Sequence, residues 1–397
     1  MKIVQINAVP YGSTGKIMLG IHNELLNRGY ESYVIWGIGR KSNKNNNEFD
    51  INCKFDNFFH KIYSHFACKQ GFASWYSTKK IISILEEIKP NIVHLHNLHN
   101  NFINIELLFN YLKTNKIKIF WTFHDCWAFT GKCVYFDFIN CNKWKTECKN
   151  CPNLIESPTA FIDRTNWLFN KKKNLFSNLD LTIITPSDWL ASLVKESFLK
   201  DYPIKVINNG INLDIFRYRN SNFKEKYNIL NKKIILGVAS PWSKRKGLAD
   251  FIKLSSILDE DFVIVLVGLN DKQMKNLPNN IIGIKRTNNQ IELAEIYSAA
   301  DLLFNPTYED NYPTVNLEAI SCGTPVLTYN TGGSPEFIKF VDNNFGQYVL
   351  DKNIVTEDFS VVKNRIYEIV NSKSFNLITR KLLSEKNMVV QYLKLYK

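Results

Sequence analysis

At 397 residues the chain is too long for one ordinary hydrophobic core, so two domains of about 150 to 200 residues each are expected. It is 45% hydrophobic and 13% aromatic, enough to bury both, and 50 basic against 37 acidic side chains leave a net charge of +13. That charge points to an anionic partner such as nucleic acid, acidic lipid or a phosphorylated substrate.

The N-terminal MKIVQINAVPYG reads as a strand and lacks the apolar core and small-residue cleavage site of a signal peptide. No run approaches about 18 apolar residues, so a cytoplasmic location with the eight cysteines reduced is expected. Strand-like runs follow one another along the chain: KIVQINA at 2–8, SYVIWGI at 32–38, NIVHLH at 91–96, KIFWTFH at 118–124, LTIITPS at 181–187 and IKVINNG at 204–210. A second series comprises KIILGVAS at 233–240, FVIVLVG at 262–268, NIIGI at 280–284, DLLFNP at 301–306 and PVLTYN at 325–330. The runs are almost continuously apolar, as strands buried on both faces are, and their spacing leaves room for crossover helices. Two α/β domains with parallel sheets follow, divided by the polar stretch 209–232. KSNKNNNE at 41–48 is an Asn-rich loop. FDNFFHKIYSHFACK at 55–69 mixes aromatic and basic residues and suits either a core-packing helix or contact with a membrane. The last stretch, 376–397, has a helical pattern and could pack back across the hinge.

In open α/β sheets ligands bind beyond the carboxyl ends of the strands, which here places them in the cleft between the two domains. YEDNYPTVNLEAISCGTPVLTYNTGGSPE at 308–336 lies there, with Asp310 in a loop, Glu318 on a helix from about Thr314 to Ser321, and Gly323 as its stop. A carboxylate accepts two hydrogen bonds from a vicinal diol, so these acids suit a ribose or a hexose. Gly332 and Gly333 bring bare backbone close to a ligand, followed by Ser334 as N-cap and Pro335 at the first helical position. PWSKRKG at 241–247 sets Arg245 and Lys246 at a helix start, where two cations could hold a diphosphate. PYGSTGKIMLGI at 10–21 joins strand to helix through Gly12 and Gly15 without matching a P-loop or dinucleotide fingerprint. His94, His96, His99 and His124 fall at adjacent strand ends; His94 and His96 read as structural and His124 as the candidate for touching substrate. Cys133, Cys141, Cys148 and Cys151 could hold a structural zinc ion, or stand as thiols or a disulfide.

Together, GSTGKI, HLHNLH, FHDCWAFTGKC, TPSDWL, VINNGINLDIF, SPWSKRKG and the 308–336 block resemble family 4 glycosyltransferases of the retaining, two-domain GT-B fold. The likeness is to the bacterial exopolysaccharide and O-antigen branch that includes the colanic acid transferases. The resemblance implies an acceptor-side Rossmann-like domain over 1–208, a linker over 209–232, a nucleotide-sugar-binding domain over 233–375 and a C-terminal helix over 376–397. It places the family's E-x7-E motif on Asp310 and Glu318. Glu318 then holds the donor ribose, Asp310 and the Gly332–Gly333 backbone contact sugar and phosphates, and Lys246 binds the diphosphate. Ser240 stands where the family has an arginine, and Arg245 is assigned its charge. His124 matches the histidine near the reacting carbon and Gly15 the glycine facing the diphosphate. No metal is then needed for catalysis. The implied donor is a nucleotide-sugar, and the acceptor a polyprenyl-diphosphate-linked oligosaccharide at the inner leaflet of an anionic membrane. A nucleotide-sugar epimerase on the same fold is the alternative reading, and a basic nucleic-acid binder the remote one.

Overall fold

A computed structural model of the protein describes residues 1–39, 45–341, 348–372 and 380–397. The Asn-rich stretch at 41–44 and residues 376–379 of the C-terminal segment lie outside them. The chain divides into two compact units, Met1–Asn208 with Val389–Lys397, and Asn209–Met388.

The first unit is built on β1 (Lys2–Asn7), β2 (Glu31–Trp36), β3 (Glu48–Asp50), β4 (Ile92–Leu95), β5 (Lys118–Thr122), β6 (Leu181–Thr185) and β7 (Ile204–Val206). Among the described residues they form one parallel sheet in the order β3-β2-β1-β4-β5-β6-β7. The second unit holds β8 (Lys233–Val238), β9 (Phe262–Val267), β10 (Ile281–Ile284), β11 (Leu302–Asn305), β12 (Val326–Tyr329) and β13 (Val349–Leu350), parallel in the order β10-β9-β8-β11-β12-β13. Strands β4, β11 and β12 are buried along their whole length, because a parallel sheet covered by helices exposes neither face.

Both strand orders reverse direction once, between β1 and β4 and between β8 and β11. At such a point the loops leaving neighbouring strands diverge to opposite faces and open a crevice at their carboxyl ends. The loops after β1 and β4 and those after β8 and β11 are therefore the ones placed to bind ligands.

Up to residue 321 the α-helices among the described residues are α1 (Gly12–Asn27), α2 (Lys54–Ala67), α3 (Trp75–Ile88), α4 (Ile105–Thr114), α5 (Thr165–Leu175), α6 (Asp188–Glu196), α7 (Phe223–Lys226), α8 (Leu248–Ser255), α9 (Asp271–Lys275), α10 (Gln290–Ala299) and α11 (Thr314–Ser321). Helix α11 stops at Gly323, whose φ of +86° is the left-handed conformation a chain reversal needs. The C-terminal segment is a short 3-10 turn, Arg380–Leu383, and a helix, Glu385–Leu395. Within the first unit the Tyr396 hydroxyl lies 2.6 Å from His94 Nδ1 and the Tyr392 hydroxyl 3.2 Å from Thr122 Oγ1.

Candidate active site

In the second unit, β8 delivers the chain into a 3-10 turn, Lys244–Lys246, that ends at Gly247. Gly247 has φ +72°, and a Cβ there would fall 2.3 Å from the Pro306 carbonyl oxygen, so the turn is pressed against the chain leaving β11. That contact draws Arg245 and Lys246 to the loop at 307–310. Tyr308 N donates to the Arg245 carbonyl at 2.7 Å, and Arg245 Nη1 donates to the Glu309 carbonyl at 2.8 Å. Lys246 Nζ pairs with the Asp310 carboxylate, both side chains being less than a fifth exposed.

The Gly332–Gly333 turn meets the same loop from the other side. Gly333 N donates to the Asp310 carbonyl at 3.0 Å, and a Cβ on Gly332, which has φ +56°, would lie 2.1 Å from that oxygen. Ser334 is not an N-cap, as the sequence pattern suggested. Gly333 takes that position, and Ser334–Phe340 is a 3-10 helix rather than an α-helix. The hydroxyl of Ser334 turns inward, 2.7 Å from Thr328 Oγ1, while Asn316 Nδ2 donates to the Ser334 carbonyl at 3.0 Å and Asn305 Nδ2 to Asn316 Oδ1 at 2.8 Å. A buried polar ladder thus ties the glycine turn to the start of α11, and its partners outcompete capping.

Glu318 projects from α11 about one turn from its start, partly buried, and accepts from the Tyr297 hydroxyl of α10 at 3.0 Å. Burial, and then the Glu318 charge, push the Tyr297 phenol well above its usual range, so it stays a donor. Asp310, Lys246, Arg245 and the Gly332–Gly333 backbone therefore converge on one loop, with Glu318 held by a fully buried tyrosine that no sequence motif signals.

In the first unit four histidines line the carboxyl ends of β4 and β5. His94 sits between Tyr396 and Thr122 (2.8 Å to its Oγ1), and His96 between His124 (3.2 Å, Nδ1 to Nε2) and Gln5 Oε1 (3.2 Å). Burial lowers His94 to about 3 and His124 to about 4, and His96 well below its ordinary value. All three are neutral near pH 7. His99 behaves oppositely: burial opposes its charge, but the Asp125 carboxylate, 2.7 Å away, overrides this and raises its pKa. Sequence reasoning passed over this ion pair, which has no motif of its own.

The His99–Asp125 pair borders a cavity of about 380 Å³ whose other walls include Ser64, Gln70, Asn101 and Tyr135. The Gln70 and Asn101 amide oxygens there are buried without a hydrogen-bond partner. Gly15 is not in an open turn: α1 begins at Gly12, and a Cβ on Gly15 would lie 2.5 Å from the Pro10 carbonyl carbon. Its lack of a side chain serves close packing of the helix on the chain leaving β1.

Cys133, Cys141, Cys148 and Cys151 lie in the irregular segment after β5. All are free thiols, and among the described residues no group of three or more potential ligands is arranged to hold a metal ion. Cys133 and Cys151 share a hydrogen bond that raises the first and lowers the second, and Gly131 N donates to Cys148 Sγ at 3.2 Å. The segment is also held by Lys172, whose buried ammonium donates to the Trp127 and Thr130 carbonyls at 2.6 and 3.0 Å.

Two family descriptions match. Residues 220–358 fit glycosyl transferases group 1, and residues 15–215, just over half of the chain, fit Glycosyltransferase Family 4. The chain belongs to glycosyltransferase family 4. This glycosyltransferase is 22% identical to the putative colanic acid biosynthesis glycosyl transferase WcaC of Escherichia coli, across all of this chain and 99% of the relative. It is 26% identical to the N,N'-diacetylbacillosaminyl-diphospho-undecaprenol alpha-1,3-N-acetylgalactosaminyltransferase of Campylobacter jejuni, over 52% of this chain and 57% of that one. Its fold is GT-B: the Anabaena Alr3699/HepE structure in complex with UDP-glucose superposes with a TM-score of 0.61 at 13% identity, covering all of this chain and 99% of that one.

Proposed function

We propose that the protein moves a sugar from a nucleotide-sugar donor to a hydroxyl of a growing, lipid-linked oligosaccharide in bacterial surface-polysaccharide synthesis, with retention of anomeric configuration. The observation that carries this reading is the convergence of Lys246, Arg245 and the Gly332–Gly333 backbone on the Asp310 loop at the β8/β11 reversal, with Glu318 close by in sequence on α11. The names of the relatives, one for colanic acid and one for a diphospho-undecaprenol substrate, support the acceptor class.

In the proposed reaction the bond from the anomeric carbon to the leaving diphosphate oxygen breaks and negative charge gathers on that diphosphate. An ammonium has three donors and a guanidinium five, so Lys246 and Arg245 can bond their loop partners and still meet an anion. Fixed cations and backbone N–H groups stabilise such developing charge with little reorganisation, which accounts for leaving-group departure without a metal. The acceptor oxygen bonds to the anomeric carbon on the same face, and its proton passes to the departing phosphate oxygen, so no side-chain base is required. Glu318, oriented by Tyr297, is assigned the donor ribose. His124, neutral near pH 7, is assigned to the donor sugar. The polar cavity beside His99–Asp125 is assigned to acceptor hydroxyls, which the amide oxygens of Gln70 and Asn101 are free to accept from.

Saturation-transfer NMR against UDP-, GDP-, dTDP- and ADP-sugars, repeated with Glu318→Ala, tests the reading. Selective binding of one donor that the variant loses supports it; absence of binding to every donor by the wild-type protein removes the donor-site assignment.

A further inference from the structure

Helix α2 turns four polar residues, Asp56, Asn57, His60 and Ser64, toward the body of the first unit. His60 is fully buried, with Nδ1 2.7 Å from Ser74 Oγ and Nε2 accepting from Gly71 N at 3.0 Å; burial lowers its pKa to about 3 and keeps the ring neutral. Ser64, one turn on, is buried as well. Asn57 donates to the Gly37 carbonyl at 3.1 Å, and Asp56 accepts from Ser77 N at 2.8 Å. These bonds fix the rotation of the helix about its axis.

The opposite face is Phe55, Phe58, Phe59, Ile62 and Phe66, at spacings of three and four that form one stripe. All five are exposed, Phe55 by 85%, Phe58 by 64% and Phe66 by 60%. Neighbouring elements extend the stripe. Trp75 and Tyr76 open α3 in the exposed state, with Trp75 6.4 Å from Phe59, and exposed Phe161 lies 5.5 Å from Phe66. Phe161 is held there by a 2.8 Å hydrogen bond from its N–H to the His65 carbonyl. A contiguous aromatic surface of this kind on a folded protein marks an interaction site.

The charges around it identify the partner. Residues 54–80 carry five lysines, Lys54, Lys61, Lys69, Lys79 and Lys80, against one acid, Asp56, which is already engaged with Ser77. Protein interfaces are depleted in lysine, whereas helices that lie in a lipid headgroup layer pair an aromatic face with a lysine rim. Among the described residues no helix is long and apolar enough to cross a membrane.

We infer that the exposed aromatic face of α2, with Trp75, Tyr76 and Phe161, docks the protein on an anionic bilayer, its phenylalanines below the headgroups and its lysines among the phosphates. The inner face of the same helix contributes Ser64 and His65 to the polar cavity, so a docked protein holds that cavity one helix diameter from the lipid surface. This last link to a lipid-borne acceptor rests on the proposed function; the docking itself does not.

The test is co-sedimentation of the full-length protein with vesicles of phosphatidylcholine alone or mixed with phosphatidylglycerol. Binding to the anionic vesicles, weakened by salt, is expected. Phe55→Ser/Phe58→Ser/Phe66→Ser should lower partitioning at least about tenfold with an unchanged melting temperature, since these side chains pack against little. Lys54→Glu/Lys61→Glu should lower it about fivefold per lysine, and only for the anionic vesicles. Brominated lipid should quench wild-type fluorescence, and Trp75→Phe should remove most of that quenching. Failure of the wild-type protein to bind anionic vesicles at low salt overturns the inference. So does a patch that makes the protein dimeric in sedimentation velocity, with the triple variant monomeric and neither form binding lipid. Donor binding measured without vesicles separates either failure from failure of the proposed function.

Discussion

The Lys246 ammonium and the Asp310 carboxylate form an ion pair that joins the turn after β8 to the loop after β11. Removing one partner of a largely buried pair leaves the other charge uncompensated. Lys246→Ala is therefore expected to lower kcat/KM by about 10²- to 10³-fold, the cost of one charge stabiliser on a developing anion. Lys246→Arg should recover part of this, because charge survives while the shape of the donor changes. Steady-state kinetics with the donor found by NMR provides the check, and wild-type kcat/KM in Lys246→Ala would remove this residue from the mechanism.

Tyr297 offers a subtler test of Glu318. Tyr297→Phe deletes the 3.0 Å hydrogen bond while keeping the buried ring. A hydrogen bond to a charged group contributes about 1.5–3 kcal/mol, so donor KM should rise about 10-fold with kcat little changed. Glu318→Gln should raise KM more than Tyr297→Phe does. Equal KM values in wild type and both variants would detach Glu318 from donor binding.

At Gly332 a side chain meets two obstacles at once, a left-handed φ and the Asp310 carbonyl 2.1 Å from the new Cβ. Gly332→Ala must displace either the turn or the Asp310 loop. Activity should fall by about two orders of magnitude, as reacting groups shift by tenths of an ångström to an ångström, and the melting temperature should drop. Gly12→Ala is the control: φ is +69° there, but nothing lies within 4 Å, so strain occurs without a clash. A Gly332→Ala variant as active as Gly12→Ala would show that the close approach has no functional role.

What the sequence discloses follows from how each feature is encoded. The eleven apolar runs all appear as strands; in β4, β11 and β12, buried along their whole length, burial on both faces demands unbroken hydrophobicity, whereas the edge strands β7 and β10 are only partly buried. The two remaining strands, β3 (Glu48–Asp50) and β13 (Val349–Leu350), are short edge strands bonded to one neighbour, and the polar first leaves no apolar run to detect. Asp310, Gly332 and Gly333 are legible through turn chemistry and spacing, which act within a few residues. Tyr297 and the His99–Asp125 pair are not, because their partners are 21 and 26 residues away and only the fold brings them together. Ser334 misleads for a related reason: the local rule predicts a cap, and Thr328 and Asn316 supply better partners.

The histidine cluster predicts a pH dependence with a definite sign. His94, His96 and His124 have folded pKa values lowered from 6.5, to about 3 for His94 and about 4 for His124, chiefly because burial disfavours the charged ring. Between those values and 6.5 the unfolded chain binds more protons than the folded one, so stability is fully present above pH 6.5 and is lost as pH falls toward 4. At pH 5 His94 and His124 each cost about 2 kcal/mol. His99 opposes them: its folded pKa is raised by Asp125, so its contribution is complete below 6.5 and fades as pH rises through the folded value. His60, buried in the same unit and likewise lowered to about 3, joins them, so four against one leaves the acid side weaker. The melting temperature of the first unit should fall by more than about 5 °C between pH 7 and pH 5, and His94→Asn should flatten that profile while lowering stability at pH 7, where its bonds to Tyr396 and Thr122 are lost. Calorimetry across this range decides the point. A melting temperature that does not change between pH 7 and 5 would mean that the rings are solvated, and the neutral His124 assigned to the donor sugar would lose its physical basis.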